Sequence, residues 1–65
     1  MKFTVADMTC GGCARGVTAS IKDLDPNAVV NIDVASKLVE VESTQSFEAI
    51  AATLTEDGFP PVAVD

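Results

Sequence analysis

The spacing of the apolar residues switches along this chain between every second residue and every third or fourth, and this switching constrains the fold more than any other feature. Residues 2–6 alternate between apolar and polar side chains, which predicts a strand. From Cys13 onward the apolar residues recur at helical spacing. This helix is expected to end before Pro26, because proline disfavours helix in the residue that precedes it. Residues 30–34 and 38–42 alternate again, and the short turn between them predicts a hairpin.

A second helix with one buried face is predicted in the last third of the chain. Its apolar stripe consists of Phe47, Ile50, Ala51 and Leu54. Thr44 or Ser46 is suited to cap the first turn of this helix, and Gly58 is suited to end it in the left-handed conformation. Val62 and Val64 then predict a closing strand.

The resulting order of elements, β-α-β-β-α-β, predicts an α+β protein with the ferredoxin-like βαββαβ sandwich. Two helices are expected to cover one face of a four-stranded antiparallel sheet. Residues 1–65 are expected to form one domain, since no linker or repeat interrupts them. In this topology the loop that carries both cysteines lies at the same end of the molecule as the loop that carries Gly58 and Phe59.

The chain is acidic, with ten Asp and Glu against four Lys and Arg and a net charge of −6. This balance argues against binding to nucleic acid or to an anionic membrane, because both attract cations. It favours a partner with a basic patch, although a merely solvated acidic surface explains the charge equally well. No stretch approaches the roughly 20 apolar residues of a membrane span, and the amino terminus lacks a secretory signal. We therefore expect a cytoplasmic protein without membrane insertion.

Cys10 and Cys13 are the only cysteines, and the chain contains no histidine. Gly11 and Gly12 are expected to let the backbone turn between them, so that both sulfurs converge on one point. The start of a helix favours the thiolate form of cysteine, and two thiolates favour a soft ion of low coordination number, Cu(I) above all. A structural zinc site normally has four ligands, so a weak zinc site here would depend on an oxygen from Asp7.

The sequence MTCGGC, residues 8–13, followed by a helix with Val17 and Ile21, resembles the metal-binding motif of heavy-metal-associated domains. The later stretch IAATLTEDGF, residues 50–59, resembles the second helix and the glycine-aromatic loop of the same family. Among the members of this family, the free-standing copper chaperones are similar in length. The resemblance implies that both cysteines bind Cu(I) and pass it to the metal-binding domain of a copper-transporting P-type ATPase. A homodimer bridged by copper is a further state that such a site would allow.

The resemblance also implies supporting residues in and beside the loop, namely Met8, Thr9, Gly11, Gly12 and Phe59. Met8 matches a methionine that packs beneath the loop and is not a ligand. Phe59 matches the position beside the metal that is tyrosine or phenylalanine in bacterial relatives, and a plain core aromatic is the alternative. Arg15 is either a solvated charge of the first helix or a contact for the partner.

Other functions fit parts of the sequence. Carriers of Zn²⁺, Cd²⁺ or Hg²⁺ belong to the same family, but the zinc carriers tend to have an acidic residue where Thr9 stands here. A metal-binding domain excised from an ATPase would look almost identical, although the start at Met1 favours a free-standing chaperone. A CxxC pair at a helix start also serves thiol-disulfide oxidoreductases, yet this chain is too short for a thioredoxin fold. A small interaction domain with incidental cysteines is the remaining alternative.

Overall fold

The computed structural model describes residues 1–64 and contains the six predicted elements in the predicted order. These elements are β1 (Lys2–Val5), α1 (Gly11–Leu24), β2 (Val29–Asp33), β3 (Leu38–Glu42), α2 (Phe47–Glu56) and β4 (Pro61–Val64). The four strands form one antiparallel sheet in the order β2-β3-β1-β4. This is the ferredoxin-like βαββαβ arrangement, and the predicted fold class is confirmed.

The core lies between the two helices and one face of the sheet. Its buried apolar residues are Phe3, Val5, Met8, Val17, Ile21, Ala28, Val39, Val41, Ile50 and Leu54. In β1 and β3 buried residues alternate with more exposed ones, as expected for strands that are covered on one side only. The apolar periodicity therefore identified the buried face of both central strands correctly.

The start of α1 and the end of β2 differ from the prediction. The helix begins at Gly11 rather than at Cys13, because the N–H of Ala14 donates to the carbonyl of Cys10 (3.1 Å) and closes a first turn that includes both glycines. Strand β2 ends at Asp33, since the carbonyl of Val34 accepts from the N–H of Lys37 (3.2 Å) within the turn to β3. Val34 continues the alternation in sequence, but its backbone belongs to this turn.

Both predicted boundaries of α2 are confirmed. The hydroxyl of Ser46 accepts a hydrogen bond from the N–H of Ala49 (3.1 Å), so Ser46 rather than Thr44 caps the helix. Gly58 follows the helix with φ +89°, in the left-handed region that favours glycine. The N–H of Phe59 then donates to the carbonyl of Leu54 (2.7 Å) and holds the loop against the end of α2.

Three connections meet at one end of the sheet. Val5, the last residue of β1, pairs with Pro61 at the start of β4, and its N–H donates to the carbonyl of Lys37 (3.0 Å). The Nζ of Lys37 donates to the carbonyl of Ala6 (3.1 Å), in the loop that leads to α1. The loop before α1, the β2–β3 turn and the loop of Phe59 therefore share one end, and the predicted proximity of the first and the last of these is confirmed. None of the helices within residues 1–64 is long and apolar enough to cross a membrane.

Candidate metal centre

Cys10 and Cys13 stand together at the start of α1, as free thiols. Their Sγ atoms are 3.3 Å apart, and the Cys10 thiol donates a hydrogen bond to Cys13. A disulfide bond is about 2.05 Å long, so the two sulfurs are adjacent but not bonded. Cys10 is exposed and Cys13 is half-buried, which gives the pair one outer and one inner sulfur.

The backbone of Cys10 makes its sulfur available. Cys10 is the N-cap of α1 and has an extended backbone (φ −155°, ψ 171°), yet its side chain makes no capping hydrogen bond. The first turn of α1 contains no acidic residue that would compete for the helix N-terminus. The free N–H groups of this turn and the positive end of the helix dipole therefore favour negative charge on the two sulfurs.

The thiol of Cys13 has a pKa below its ordinary value. The largest cause is hydrogen bonding from the backbone of Thr9, followed by the hydrogen bond from the Cys10 side chain, while burial opposes both. Hydrogen bonds to the charged form stabilise the thiolate, which is the form that binds soft metals. The sequence indicated Thr9 only as a loop residue, because a backbone hydrogen bond leaves no signature in the side-chain pattern.

Gly11 and Gly12 do not have the backbone role that the sequence predicts for them. Within residues 1–64, positive φ angles occur only at Lys37 and Gly58, so any residue could adopt the conformation of the CxxC glycines. Their absent side chains leave room instead. A Cβ on Gly12 would lie 3.7 Å both from Sγ of Cys10 and from a guanidinium nitrogen of Arg15.

Arg15 brings positive charge to the first turn of α1. One guanidinium nitrogen lies 3.9 Å from where a Cβ of Gly11 would stand, and the other lies beside Gly12 on the same side as the Cys10 sulfur. The side chain is exposed and folds back toward the helix N-terminus. Arg15 thus places positive charge near Gly12 and the Cys10 sulfur.

Met8 belongs to the core, and Phe59 packs against it. Met8 is fully buried, and its N–H donates to the carbonyl of Val5 (3.1 Å), so its thioether belongs to the core. The half-buried Phe59 ring lies against Gly16, where a Cβ would stand 3.4 Å from two ring carbons. Gly16 follows Cys13 by three residues and therefore lies on the same face of α1. Sequence reasoning missed Gly16, although a glycine inside a helix usually indicates a close approach.

Among the described residues, no Asp, Glu, His or further Cys side chain lies where it could bind a metal ion together with the two thiols. Within residues 1–64, His, Cys, Asp and Glu side chains form no group of three or more that could hold a metal ion. Asp7 therefore does not complete a zinc site with the cysteines. Two sulfurs and no further ligand of this kind suit a soft ion of low coordination number rather than a tetrahedral one.

The fold and the paired thiols define a small metal-binding domain of the ferredoxin-like class. The family model of the heavy-metal-associated domain matches residues 2–60, nearly the whole chain. This chain belongs to the heavy-metal-associated domain family. The prediction that residues 1–65 form a single such domain extends beyond the matched range and beyond the described residues.

The chain is similar to several named proteins. The chain is 42% identical to the copper transport protein ATOX1 of Rattus norvegicus over 57 residues, which cover 88% of this chain and 81% of the relative. A crystal structure described as a gold binding protein is 53% identical, with a TM-score of 0.94 and 95% of each chain covered. The copper chaperone Atx1 from Synechocystis PCC6803 is 28% identical, with a TM-score of 0.91, and the match covers 94% of this chain and 97% of that one.

Proposed function

We propose that this protein is a copper chaperone that binds Cu(I) through the thiolates of Cys10 and Cys13. The observation that carries the proposal is the pair of free sulfurs, 3.3 Å apart at the start of α1, with no third acidic, cysteine or histidine ligand among residues 1–64. The relatedness to ATOX1 and to Atx1 supports copper as the cargo. The protein is a metal carrier, and no substrate is chemically transformed.

The charge around the site supports a univalent ion. Two thiolates and Cu(I) together carry one negative charge, which the N-terminus of α1 and the guanidinium of Arg15 stabilise. Zn²⁺ normally has four ligands, and Asp7 is not placed to bind a metal ion together with the two cysteines. A divalent ion would therefore be held by the two sulfurs alone, with vacant coordination positions. The site is therefore expected to prefer Cu(I) over Zn²⁺.

Transfer proceeds by exchange of thiolate ligands. A thiolate of the partner forms a third Cu–S bond, and the bond to the exposed Cys10 then breaks and releases its thiolate. A second partner thiolate next replaces Cys13 in the same way. Each step forms one Cu–S bond and breaks another, and copper stays Cu(I) throughout. The exposure of Cys10 makes it the expected first point of exchange.

The expected recipient is the metal-binding domain of a copper-transporting P-type ATPase, and we expect the transfer to take place in the cytoplasm. The net charge of −6 favours a recipient with a basic surface near its own cysteines. The same open coordination positions would allow two copies of this chain to share one copper ion. Such a copper-bridged homodimer is a state of the metal-loaded protein and does not depend on the recipient.

The test is an anaerobic titration of the reduced protein with Cu(I) against a competing chelator, with Zn²⁺ in parallel. We expect one equivalent of Cu(I) to bind far more tightly than Zn²⁺, and both Cys10→Ser and Cys13→Ser to abolish this tight binding. Thr18→Ser, on the same helix but outside the loop, serves as the matched control and should bind as the parent does. Equal or tighter Zn²⁺ binding would contradict the proposal and favour a zinc carrier. Absence of tight binding of either ion would favour a thiol-disulfide couple.

Au(I) is a second candidate cargo. It is favoured by the 53% identity to the gold binding protein, and two thiolates without a third ligand suit any soft univalent ion. A competition between Cu(I) and Au(I) for the reduced protein, followed by mass spectrometry of the intact complex, distinguishes the two. Retention of Au(I) in the presence of excess Cu(I) would make gold the preferred cargo.

A further inference from the structure

An open apolar groove of about 340 Å³ runs along the flank of the molecule, between α1 and β2. Its lining residues are Ala14, Arg15, Thr18, Ala19, Val30 and Ile32. Val30 and Ile32 face the helices, because they pair with Val41 and Val39, which are buried on that side of the sheet. The small side chains of α1 leave both β2 residues only half-buried, so the groove is open to another molecule.

The groove borders an unpaired strand edge. The order β2-β3-β1-β4 places only β3 beside β2, so the outer N–H and C=O groups of β2 have no strand partner within residues 1–64. Such an edge accepts a strand from another molecule, and the main-chain hydrogen bonds then provide affinity. A strand added to β2 would place every second side chain in the groove, against Val30 and Ile32.

The other face of the same edge is acidic. Asn31 and Asp33 point to the uncovered face of the sheet and are exposed, and on the neighbouring strand Glu40 and Glu42 are exposed on that face too. The remaining side chains of an added strand would lie directly beside Asn31 and Asp33, with Glu40 and Glu42 one strand further in. Lysine or arginine at those positions would be complementary in charge, and cross-strand pairs of opposite charge stabilise a sheet.

We propose that the α1–β2 groove binds an extended segment of another protein in which apolar and basic residues alternate. The apolar side chains fill the groove, and the basic side chains lie beside Asp33, with the negative charge of Glu40 one strand further in. Arg15 contributes its aliphatic stem to the groove, because its guanidinium nitrogens lie beside Gly11 and Gly12. Because Ala14 and Arg15 line the groove and directly follow Cys13 in α1, one end of the groove lies near the metal centre. The surface requires no metal, so this inference does not depend on which ion the cysteines carry.

A second copy of this chain fits the groove less well. Its two edge strands are β2 and β4, with the sequences VVNID and PVAV, and neither contains a basic residue. Pairing two copies along β2 would also bring together two chains that each carry a net charge of −6. A segment of a different protein in which apolar and basic residues alternate would complement the apolar groove on one face and the acidic residues on the other.

The proposal is tested with a short amidated peptide in which lysine and valine alternate, added to the isotope-labelled, reduced, metal-free protein. A peptide of the same composition with its valines consecutive controls for unspecific attraction to an acidic protein. We expect saturable amide shifts in β2 and along the groove side of α1, and slower hydrogen exchange at β2 amides, with the alternating peptide only. Ala19→Arg should weaken binding about tenfold or more by filling the groove. Ala52→Arg, the same change at an exposed position of α2, should leave binding unchanged.

Four results would overturn the proposal. The first two are equal binding of both peptides and amide shifts that are confined to the uncovered face of the sheet. The third is that neither peptide binds. The fourth is that, without peptide, the β2 amide shifts depend on the protein concentration. The last result would assign the groove to a second copy. Measuring Cu(I) affinity of Ala19→Arg separates this inference from the metal function, since that affinity should equal the parent value whatever the peptide does. Circular dichroism confirms that both arginine variants are folded.

Discussion

The glycines of this chain have different physical roles, and only one of them is conformational. Gly58 has φ +89° after α2, whereas Gly12 lies in the first turn of α1 without positive φ. We expect Gly12→Ala to stabilise the protein by about 0.5–1 kcal/mol, because alanine loses less backbone entropy in a helix. Gly58→Ala should destabilise it by about 1–2 kcal/mol, since a Cβ is unfavourable in the left-handed region.

Urea unfolding of the parent and both variants measures these two free energies. Space around Gly58 is not the cause of its effect, because a Cβ there would meet no atom within 4 Å. At Gly12 a Cβ would make only ordinary van der Waals contacts at 3.7 Å, so the pair compares backbone conformation at two positions that a methyl group fits. Equal destabilisation by both alanines would mean that the CxxC glycines are required by the backbone, as the sequence first indicated.

The residues of the site differ in how far the sequence revealed them. The two cysteines follow from their number and spacing, and Met8 as a core residue follows from its place after β1. The contribution of Thr9 to Cys13 is a backbone hydrogen bond, and the contact of Gly16 with Phe59 joins α1 to a distant loop. Neither depends on a local pattern of side chains, so a single sequence could not predict them.

At the scale of the elements, Asp25 links the end of α1 to the chain before α2. Its carboxylate accepts from the hydroxyl of Ser43 (2.5 Å) and from the N–H of Asn27 (3.0 Å). The hydrogen bond from Ser43 is the largest cause of an Asp25 pKa below the ordinary carboxyl value. A carboxyl whose pKa is lower in the folded state stabilises the fold above its unfolded pKa, and this contribution is lost as pH falls through the folded pKa.

We therefore expect Ser43→Ala to raise the Asp25 pKa toward the ordinary value of 3.8 and to reduce stability at neutral pH. The difference in unfolding free energy between the parent and this variant should shrink as pH falls below that value. Urea unfolding over a pH series, with NMR titration of the Asp25 carboxyl, measures both effects. Ser36→Ala, in the exposed β2–β3 turn, is the control. A difference that stays constant down to the lowest pH would exclude ionised Asp25 as its source.

The order of the elements could be predicted, but their exact ends could not. Apolar periodicity identified all six elements, although only β1, β3 and the two helices contribute fully buried residues to the core, and Val62 and Val64 of β4 are exposed. The ends depend on hydrogen bonds that the periodicity does not record. Ala14 donates to Cys10 and extends α1 toward the amino terminus, while Lys37 donates to Val34 and ends the alternation of β2 in a turn. Caps with a side-chain signature, such as Ser46, were predictable.

At the scale of the whole molecule, the net charge of −6 predicts that association with a basic recipient depends on ionic strength. We expect the rate of copper transfer to the proposed recipient, the metal-binding domain of a copper-transporting ATPase, to fall about tenfold or more between low and high ionic strength, because salt screens electrostatic steering. Stopped-flow measurement of transfer over a salt series determines this dependence. Transfer to a small neutral thiol chelator is the control and should vary little with salt.

The acidic face of β3 offers a direct test of where this steering arises. Glu40 and Glu42 are exposed on the uncovered side of the sheet, away from the two cysteines on α1. Glu40→Gln combined with Glu42→Gln should slow transfer at low ionic strength and leave both the Cu(I) affinity and the rate at high ionic strength unchanged. A transfer rate to the ATPase domain that ignores salt in the parent would refute electrostatic docking altogether. A salt-dependent rate that the double variant leaves intact would place the recognised charge on the helices instead.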